Sequence, residues 1–422
     1  MKIEHIVARQ IIDSRGNPTV EADVYVSGGI MGRAAVPSGA STGSHEAREL
    51  RDGGASFHGL GVQKAIDNIS QIITPALMSM DVSNQQSLDN RLIELDGTNN
   101  KKKLGSNALL AISLAAAHAA ARAAGIPLYK HINLLADSPT MNVPLPMMNV
   151  LNGGAHAAHS TDIQESMIMP VGASSIHQAI QIGCEVFHAL KDLLQEAGYS
   201  TTVGDEGGFA PHFSHGNAEA LDFLVQAIQK AGYDTHKDFK LALDVAASEL
   251  YQNGTYHLAS EQKNFTSSDM RLWLASLVDK YPIISIEDGL SEDDWAEWKQ
   301  LLSDLPQTQI VGDDLLVTNV ARIQKAVEQQ AANAVLIKPN QIGTLTETIN
   351  AILFAKKHHL QTIISHRSGE TEDTTIAHLA VGTGAGQIKT GSVSRSERVA
   401  KYNELIRIAE ADPSLPFSSF NL

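Results

Sequence analysis

Charged residues follow short apolar runs at six places in the second half of the chain. They are Asp244, Glu287, Asp313, Lys338, His366 and Lys389, after runs such as LAL, IISI and AVLI. If these runs are strands of one sheet, the polar residues at their ends meet at the same edge. Three carboxylates gathered there would repel one another and raise one another's pKa, so a cation is expected among them.

The acidic members of this set predict a metal site. A set of oxygen donors, without His or Cys at ligand spacing, favours a hard ion, with magnesium first and manganese as a substitute. A single Asp after a strand is usually a helix cap or a turn residue. Acidic residues at three strand ends, with lysines at two later ends, favour metal binding instead.

The two lysines of the set are unusual in their position. Lys338 and Lys389 both follow apolar residues that should be buried, whereas Lys356 and Lys357 fit the pattern of lysines on a helix surface. A lysine close to a divalent cation has a lowered pKa, so its neutral form is available as a general base. The combination predicts removal of a weakly acidic proton beside a carboxylate, with metal stabilising the charged intermediate.

The spacing of these residues predicts the elements that position them. Successive strand ends are 43, 26, 25, 28 and 23 residues apart, so four of the five intervals match one β/α unit and the first contains an insertion. Helical segments such as Leu345–Lys357 fill the gaps. This alternation predicts an eight-fold β/α (TIM-like) barrel over residues 138–422, with the active site at the carboxyl ends of its strands.

The first part of the chain has a different pattern. Alternating hydrophobicity in TVEADVYV (19–26) and the turn residues DSRGNP (13–18) predict strands, and helical patterns follow over 62–73 and 108–124. Because strands and helices do not alternate here, the pattern predicts an α+β N-terminal domain over residues 1–137.

Composition excludes several classes of protein. A chain of 422 residues with 43% hydrophobic and 19% charged residues is typical of a two-domain globular protein. The net charge of -15 argues against nonspecific binding to nucleic acid, and an anionic substrate would need local positive charge or metal. Cys184 is the single cysteine, so no internal disulfide is expected.

Neither export nor membrane insertion is expected. The first residues, MKIEHIVAR, lack the apolar stretch of a signal peptide. The longest weakly polar run, LLAISLAAAHAAA (109–121), falls short of the roughly 20 apolar residues that a membrane span needs. We therefore expect a cytoplasmic protein.

Eleven segments, in order along the chain, resemble the enolase family. They are DSRGNPTVE (13–21), PSGASTG (37–43), NGGAH (152–156), QE (164–165), GDEGGFAP (204–211), LALDVA (241–246), SIEDGL (285–290), VGDD (311–314), IKPNQIGT (337–344), SHRSGETED (365–373) and QIKTGS (387–392). The resemblance runs essentially end to end. It implies a glycolytic lyase, phosphopyruvate hydratase, that interconverts 2-phosphoglycerate and phosphoenolpyruvate. It also implies a homo-oligomer, either a dimer or an octamer, with Arg15 near the subunit interface.

The resemblance further implies two magnesium ions per active site. Asp244, Glu287 and Asp313 match the ligands of the first ion, which binds the substrate carboxylate. Ser41 lies on the flexible loop 37–43 and would help to bind the second ion together with the substrate phosphate. A lysine or histidine base with one or two magnesium ions is typical of the enolase superfamily.

Catalytic and substrate-binding roles follow from the same matches. Lys338 is implied as the base at carbon 2, and Glu206 as the proton donor to the hydroxyl that leaves carbon 3. Arg367 and Ser368 would hold the phosphate, and Lys389 would contact the carboxylate. The full set of implied substrate-binding residues is His156, Gln164, Glu165, Arg367, Ser368, Lys389 and His366.

Two alternatives remain open. A related barrel enzyme, such as a racemase or an acid-sugar dehydratase, typically lacks the SGAST loop and the SHRSGE segment that this chain has. A catalytically silent scaffold is disfavoured by the intact base, acid and metal-ligand positions. The chain departs from the usual pattern at Ser166, where an aromatic residue is common, and in the loop 157–161. The glycine-rich run GTGAG (382–386) is interpreted as a turn, because it follows a helix and precedes a strand.

Overall fold

The computed structural model of the chain describes residues 1–40, 43–137, 140–157 and 160–422. Ser41, the predicted ligand of a second magnesium ion, lies outside the described residues, so its role stays a prediction.

The N-terminal region consists of a small sheet and a group of helices. An antiparallel three-stranded sheet in the order β1-β2-β3 is formed by β1 (Ile3–Ile12), β2 (Pro18–Val26) and β3 (Ile30–Ala35). The helices are α1 (Gln63–Asn68), α2 (Thr74–Leu77), α3 (Gln85–Asp96), α4 (Ser106–Ala123) and α5 (Leu128–Leu135). A π-helical turn, Ile69–Ile73, joins α1 to α2. The predicted α+β architecture is confirmed.

Helix α4 forms the core of this region because its residues are small. It is rich in alanine and buried on nearly every side, and it packs against β2 and β3. Gly32 of β3 permits the closest approach: a Cβ atom at this position would lie 2.1 Å from the carbonyl oxygen of Ala115 and 2.2 Å from the nitrogen of Ala119. The strand and the helix therefore meet backbone to backbone at this glycine.

The second region is a closed barrel of eight strands surrounded by helices. Its strands are β4 (Leu145–Asn152), β5 (Glu165–Met169), β6 (Lys240–Asp244), β10 (Ile283–Glu287), β11 (Gln309–Gly312), β12 (Ala334–Ile337), β13 (Gln361–Ser365) and β14 (Gly386–Lys389), and a small antiparallel sheet of β7 (Tyr251–Gln252), β8 (Thr255–Leu258) and β9 (Lys263–Phe265) follows β6. This small sheet accounts for the insertion predicted between Asp244 and Glu287.

Helices surround the barrel, and from β6 onwards at least one of them lies between each barrel strand and the next, as predicted. They are α6 (Ile176–Glu196), α7 (Asn217–Lys230), α8 (Ala247–Leu250), α9 (Ser267–Lys280), α10 (Trp295–Asp304), α11 (Val320–Gln329), α12 (Pro339–Ile342), α13 (Leu345–Lys357), α14 (Thr375–Thr383) and α15 (Ser396–Ala411). The glycine-rich run 382–386 is the turn between α14 and β14, as expected. The predicted β/α barrel is confirmed.

The first two strands of the barrel depart from regular β/α alternation. Strands β4 and β5 follow each other without a helix between them, and β5 is antiparallel to both of its neighbours, β4 and β6. The other neighbouring strands of the barrel are parallel. The beginning of β5 therefore lies at the same end of the barrel as the carboxyl ends of the other strands.

Apolar side chains fill the barrel interior below that end. Met147, Met167, Ala242, Leu336 and Ile363, from five strands, belong to one buried cluster that also includes Val311 of β11. A filled interior of this kind confines substrate chemistry to the mouth, where the strands end in charged residues.

Among the described residues, no single helix is long and apolar enough to cross a membrane. Helices α4 and α5 pass a test of length and composition only when they are taken together, and they are bent by 108° at the break between them.

We expect Gly32→Ala to lower the free energy of unfolding by about 1–3 kcal/mol, because the new methyl group would overlap the backbone of α4. The midpoint of urea unfolding, followed by circular dichroism, measures the effect. Gly54→Ala is the control: it adds a methyl group in open space, at a φ of +77°, and so tests backbone strain alone. Equal losses in the two variants would contradict the packing argument.

Candidate active site

One cavity of about 270 Å³ at the barrel mouth collects ten of the predicted site residues. It is lined by His156, Gln164, Glu165, Glu206, Asp244, Lys338, Ser365, His366, Arg367, Ser368 and Lys389. Ser365 is the one lining residue that the sequence analysis did not assign to the site. Glu287 and Asp313 lie directly behind this surface and contact its lysines.

Lys389 is the centre of a buried ionic cluster. Strands β6 and β10 pair in a register that sets Asp244 beside Glu287. From β14, the Nζ of Lys389 donates to Oδ2 of Asp244 at 2.8 Å and to the two carboxylate oxygens of Glu287 at 2.9 and 2.8 Å. The same ammonium lies 3.2 Å from Oε1 of Glu165. One ammonium group thus contacts three carboxylates.

Three carboxylates around one ammonium group leave an excess of negative charge, and both burial and this charge shift the pKa values. Burial and the neighbouring Asp244 raise the pKa of Glu287 well above its usual value, although Lys389 opposes them. Burial acts to lower the pKa of Lys389, but Asp244, Glu165 and Glu287 outweigh it and raise that pKa well above its usual value. The cluster would therefore gain from a further cation.

Lys338, the predicted base, is held by Asp313 in an ion pair and hydrogen bond. Burial lowers the pKa of Lys338, but Asp313 more than offsets this effect and the net shift is upward. The other carboxylate oxygen of Asp313 accepts a hydrogen bond of 2.8 Å from the side-chain amide of Gln341. The hydroxyl of Thr318 accepts from the backbone N–H of Lys338 at 2.9 Å and fixes the start of α12.

Glu165 reaches the site because β5 is antiparallel. It is the first residue of β5 and pairs in register with Asn152 on one side and Asp244 on the other. In a parallel strand the same position would lie at the opposite end of the barrel. Gln164 precedes it, and its side-chain amide lies 3.5 Å from Oδ2 of Asp244.

Glu206 occupies the same wall of the cavity as Glu165. Its carboxylate accepts a hydrogen bond of 3.0 Å from the side-chain amide of Asn149 on β4. Ring nitrogens of His156 and His366 lie 3.6 and 3.4 Å from its two oxygens. His156 also lies between the two acids, with its Nδ1 atom 3.8 Å from Oε1 of Glu165.

The two glutamates have pKa values shifted in opposite directions. Burial and the proximity of Glu206 raise the pKa of Glu165 well above its usual value. Burial also acts to raise the pKa of Glu206, but His156, His366 and Arg398 outweigh it, and the net shift is far downward. Paired carboxyl groups with divergent pKa values are typical of acid–base sites, in which one group carries a proton and the other does not. Burial lowers the pKa of His366 to about 4, so this imidazole is neutral at neutral pH.

Arg367 and Ser368, the predicted phosphate ligands, follow β13 in a buried loop. The guanidinium of Arg367 makes a bidentate contact with Glu46, at 2.9 and 3.2 Å, and donates to Oδ1 of Asn340 at 3.1 Å. The hydroxyl of Ser368 accepts a hydrogen bond of 2.7 Å from the backbone N–H of Ala40. The start of the loop 37–43 therefore contacts the predicted phosphate ligands directly.

The donor chemistry of this mouth fits magnesium. Asp244, Glu287 and Asp313 supply buried carboxylate oxygens, and three acids outnumber the two lysines that contact them. Among the described residues, the groups whose ligand atoms all lie within 4.8 Å of one another are two different ones: His156 with Glu165 and Glu206, and Asp288 with Asp313 and Asp314. Asp288, however, already accepts the backbone N–H groups of Asp313 and Asp314, at 2.9 and 2.8 Å.

Larger surface cavities lie elsewhere and lack this chemistry. One of about 930 Å³ is lined by parts of 299–303, 327–333 and 358–360, and one of about 940 Å³ by residues that include Thr235, Lys240 and Tyr281. Both lie beside the amino ends of barrel strands, away from the paired carboxylates and lysines.

Several residues that hold this site in place were not identified from the sequence. Asn149 carries no signal beyond its position on a strand, whereas Asp288 lies in the matched segment SIEDGL and could have been found there. Gln341 and Glu46 lie in or just after matched segments, IKPNQIGT and PSGASTG, and could have been found there. Arg398 lies in a helix with no distinguishing pattern.

Comparison with protein families agrees with this geometry. A family model described as "Enolase, N-terminal domain" matches residues 3–132, and one described as "Enolase, C-terminal TIM barrel domain" matches residues 140–414. The two matches cover both regions of the structure and nearly the whole chain. The chain therefore belongs to the enolase family.

Proposed function

We propose that the chain is a glycolytic phosphopyruvate hydratase that reversibly dehydrates 2-phosphoglycerate to phosphoenolpyruvate and water. Family membership supports the coarser class, a hydro-lyase acting on phosphoglycerate-like substrates. The observation that carries the finer proposal is the placement of a base and an acid across one mouth. Lys338 follows β12 and Glu165 begins β5, and these strands are four apart in the ring of eight.

Opposite placement suits removal of a proton from one face of the substrate and of a hydroxyl group from the other. With the phosphate at Arg367 and Ser368 and the carboxylate at Lys389, carbon 2 would lie towards Lys338 and carbon 3 towards the glutamates. Arg367 suits this role because its planar fork can meet two phosphate oxygens. In the structure that fork meets the two oxygens of Glu46, so phosphate binding would replace one anionic partner with another.

The reaction has two steps. Asp313 raises the pKa of Lys338 in the structure, and magnesium bound at Asp313 would oppose this effect and favour the neutral amine. Neutral Lys338 takes the proton from carbon 2, and the electron pair of the broken C–H bond moves towards the carboxylate to give an enolate. The C–O bond at carbon 3 then breaks, the carbon–carbon double bond forms, and the departing hydroxide takes a proton from the glutamate pair and leaves as water.

Glu206 and Glu165 act together in the second step. Their carboxylate oxygens lie within 4.8 Å of each other, so they titrate as a pair rather than as independent groups. The environment favours the proton on Glu165 and the charge on Glu206 before substrate binds. We propose Glu206 as the group that meets the leaving hydroxyl, with Glu165 as the neighbour that holds the shared proton.

Asp244, Glu287 and Asp313 would hold one magnesium ion, and the loop that carries Ser41 would help to hold a second. Bound magnesium would neutralise the carboxylates and stabilise the negative charge that develops on the substrate. Lys389 and the hydrogen bond from Gln341 to Asp313 keep these carboxylates in place.

The division of roles between Lys338 and Glu206 can be tested on one sample of 2-phosphoglycerate. We expect Lys338→Ala to lose both phosphoenolpyruvate formation and exchange of the carbon 2 hydrogen with deuterated solvent. Glu206→Gln should still exchange that hydrogen, because Lys338 remains, while forming product about 10²–10⁴-fold more slowly. Proton NMR follows both reactions.

Lys357→Ala is the matched control for these variants, since this lysine lies at the end of α13, away from the mouth. It should leave both rates unchanged. Exchange by Lys338→Ala with none by Glu206→Gln would reverse the two roles, and normal turnover by both variants would place the site elsewhere.

The metal requirement makes a separate prediction. Dialysis against EDTA should abolish activity, and added magnesium should restore it. Asp313→Asn should bind magnesium more weakly in isothermal titration calorimetry, because the amide keeps the shape of the side chain but loses its charge. An EDTA-dialysed enzyme with full activity would rule out the requirement.

We also propose a cytoplasmic homo-oligomer, either a dimer or an octamer. Arg15, predicted near the subunit interface, donates within its own chain to the backbone oxygens of Ser38 and Gly39, at 3.3 and 3.0 Å. Light scattering at micromolar concentration should give a mass of at least twice 45.2 kDa. A monomer under these conditions would contradict the proposal.

A further inference from the structure

Arg398 is a fully buried arginine of α15 that does not line the active-site cavity. Its Nη1 atom lies 2.6 Å from Nδ1 of His366 and donates to the carbonyl oxygen of Arg367, also at 2.6 Å. Its Nη2 atom donates to the carbonyl oxygen of Ser368 at 2.6 Å. One guanidinium therefore holds three consecutive residues, 366–368, of the predicted phosphate loop, which joins β13 to α14.

The contact with His366 determines which ring nitrogen carries the proton. Every polar hydrogen of a guanidinium is a donor and the group offers no acceptor, so Nδ1 of His366 must accept. The neutral imidazole then carries its hydrogen on Nε2. That nitrogen lies 3.4 Å from Oε2 of Glu206, so the N–H group lies beside the proposed acid.

We propose that Arg398 is a positioning residue: it fixes the tautomer of His366 and thereby keeps an N–H group beside Glu206. This inference rests on the function proposed above, because it assigns Arg398 a role in the second step of that reaction. Arg398 acts through His366 and touches neither the substrate nor the reacting atoms.

The surroundings of Arg398 leave it little freedom. Nη2 also lies 3.2 Å from the carbonyl oxygen of Asp205, so the same side chain ties the loop of Glu206 to the phosphate loop. A Cβ atom at Gly391, which has a φ of +82°, would lie 2.7 Å from Cδ of Arg398 and 3.0 Å from the carbonyl oxygen of Glu206. The glycine thus lets the loop after β14 pack against both groups.

Lys401 provides a matched control from the same helix. It is also fully buried, and its Nζ donates to Oε2 of Glu370 at 2.9 Å and to the carbonyl oxygen of Thr371 at 2.6 Å. It supports the neighbouring part of the same segment without contacting His366. Replacing each cation with glutamine, in Arg398→Gln and Lys401→Gln, disturbs the packing of α15 in both cases but changes the partner of His366 in only one.

The first measurement is the tautomer of His366 in the wild-type chain, read from long-range ¹H–¹⁵N NMR of ¹⁵N-histidine protein. The His366→Gln variant assigns the signals of this ring. We expect hydrogen on Nε2 and none on Nδ1 at neutral pH. Hydrogen on Nδ1 would overturn the proposal whether or not any variant folds.

The second measurement compares the two variants in the NMR assay of 2-phosphoglycerate. Arg398→Gln should lower phosphoenolpyruvate formation by about ten- to hundredfold, the usual effect of removing an orienting partner, while exchange at carbon 2 continues. Because the glutamine amide can accept as well as donate, its His366 signals should show a population with hydrogen on Nδ1. Lys401→Gln should keep the wild-type tautomer and the wild-type ratio of dehydration to exchange.

Parallel losses of both reactions in the two variants would show a merely structural role and overturn the proposal. Full dehydration by Arg398→Gln would also overturn it. Failure of the proposed function is distinguishable from both. A wild-type chain without phosphopyruvate hydratase activity would disprove the function, while the tautomer measurement would still report on the contact between Arg398 and His366.

Discussion

The structure depends above all on an excess of negative charge buried at one end of the barrel. A single ammonium group, that of Lys389, contacts Asp244, Glu287 and Glu165 at 2.8 to 3.2 Å. Burying an unpaired carboxylate costs several kcal/mol, so such a cluster persists only where cations and hydrogen-bond donors are held in place around it. The closed barrel supplies that rigidity, since each of these charged groups is the first or last residue of a strand bonded on both sides. Burying these charges lowers the free energy of unfolding, but it places carboxylates where they can bind a cation and lysines where they can bind an anion.

The direction of β5 gives this mouth its second chemical element. In a barrel of parallel strands, only the carboxyl ends of the strands lie at the mouth. The antiparallel β5 instead places its first residue, Glu165, at the mouth. Glu165 then lies in register with Asp244 and close to Glu206. The cluster around Lys389 and the pair of glutamates thus share one residue. A change of charge in one affects the other, which is the condition for acid–base groups to respond to the ligands of the same cavity.

Much of this arrangement could be predicted from the sequence, because strand ends follow a simple rule. The spacing of Asp244, Glu287 and Lys338 predicted both the barrel and their convergence at its mouth. Glu165 could not be placed by that rule, since periodicity does not tell a parallel strand from an antiparallel one. Asn149 and Arg398 were missed for another reason. Their roles depend on which group lies opposite them after folding, and a buried arginine in a helix has the same local pattern as a solvated one.

No described residue of the N-terminal region lines the cavity, but this region supports the predicted phosphate loop between β13 and α14. The backbone of this loop is held from α15 by Arg398, and from the N-terminal region by Ser14, whose N–H donates to the carbonyl oxygen of Glu370 at 2.8 Å. Ser38 pairs with Gly369 through two further backbone hydrogen bonds of 2.8 Å. A substrate phosphate would therefore bind to a loop fixed by both regions of the chain. The segment DSRGNP contributes through this contact: it carries Ser14, and its Arg15 holds Ser38 and Gly39 at the start of the loop 37–43.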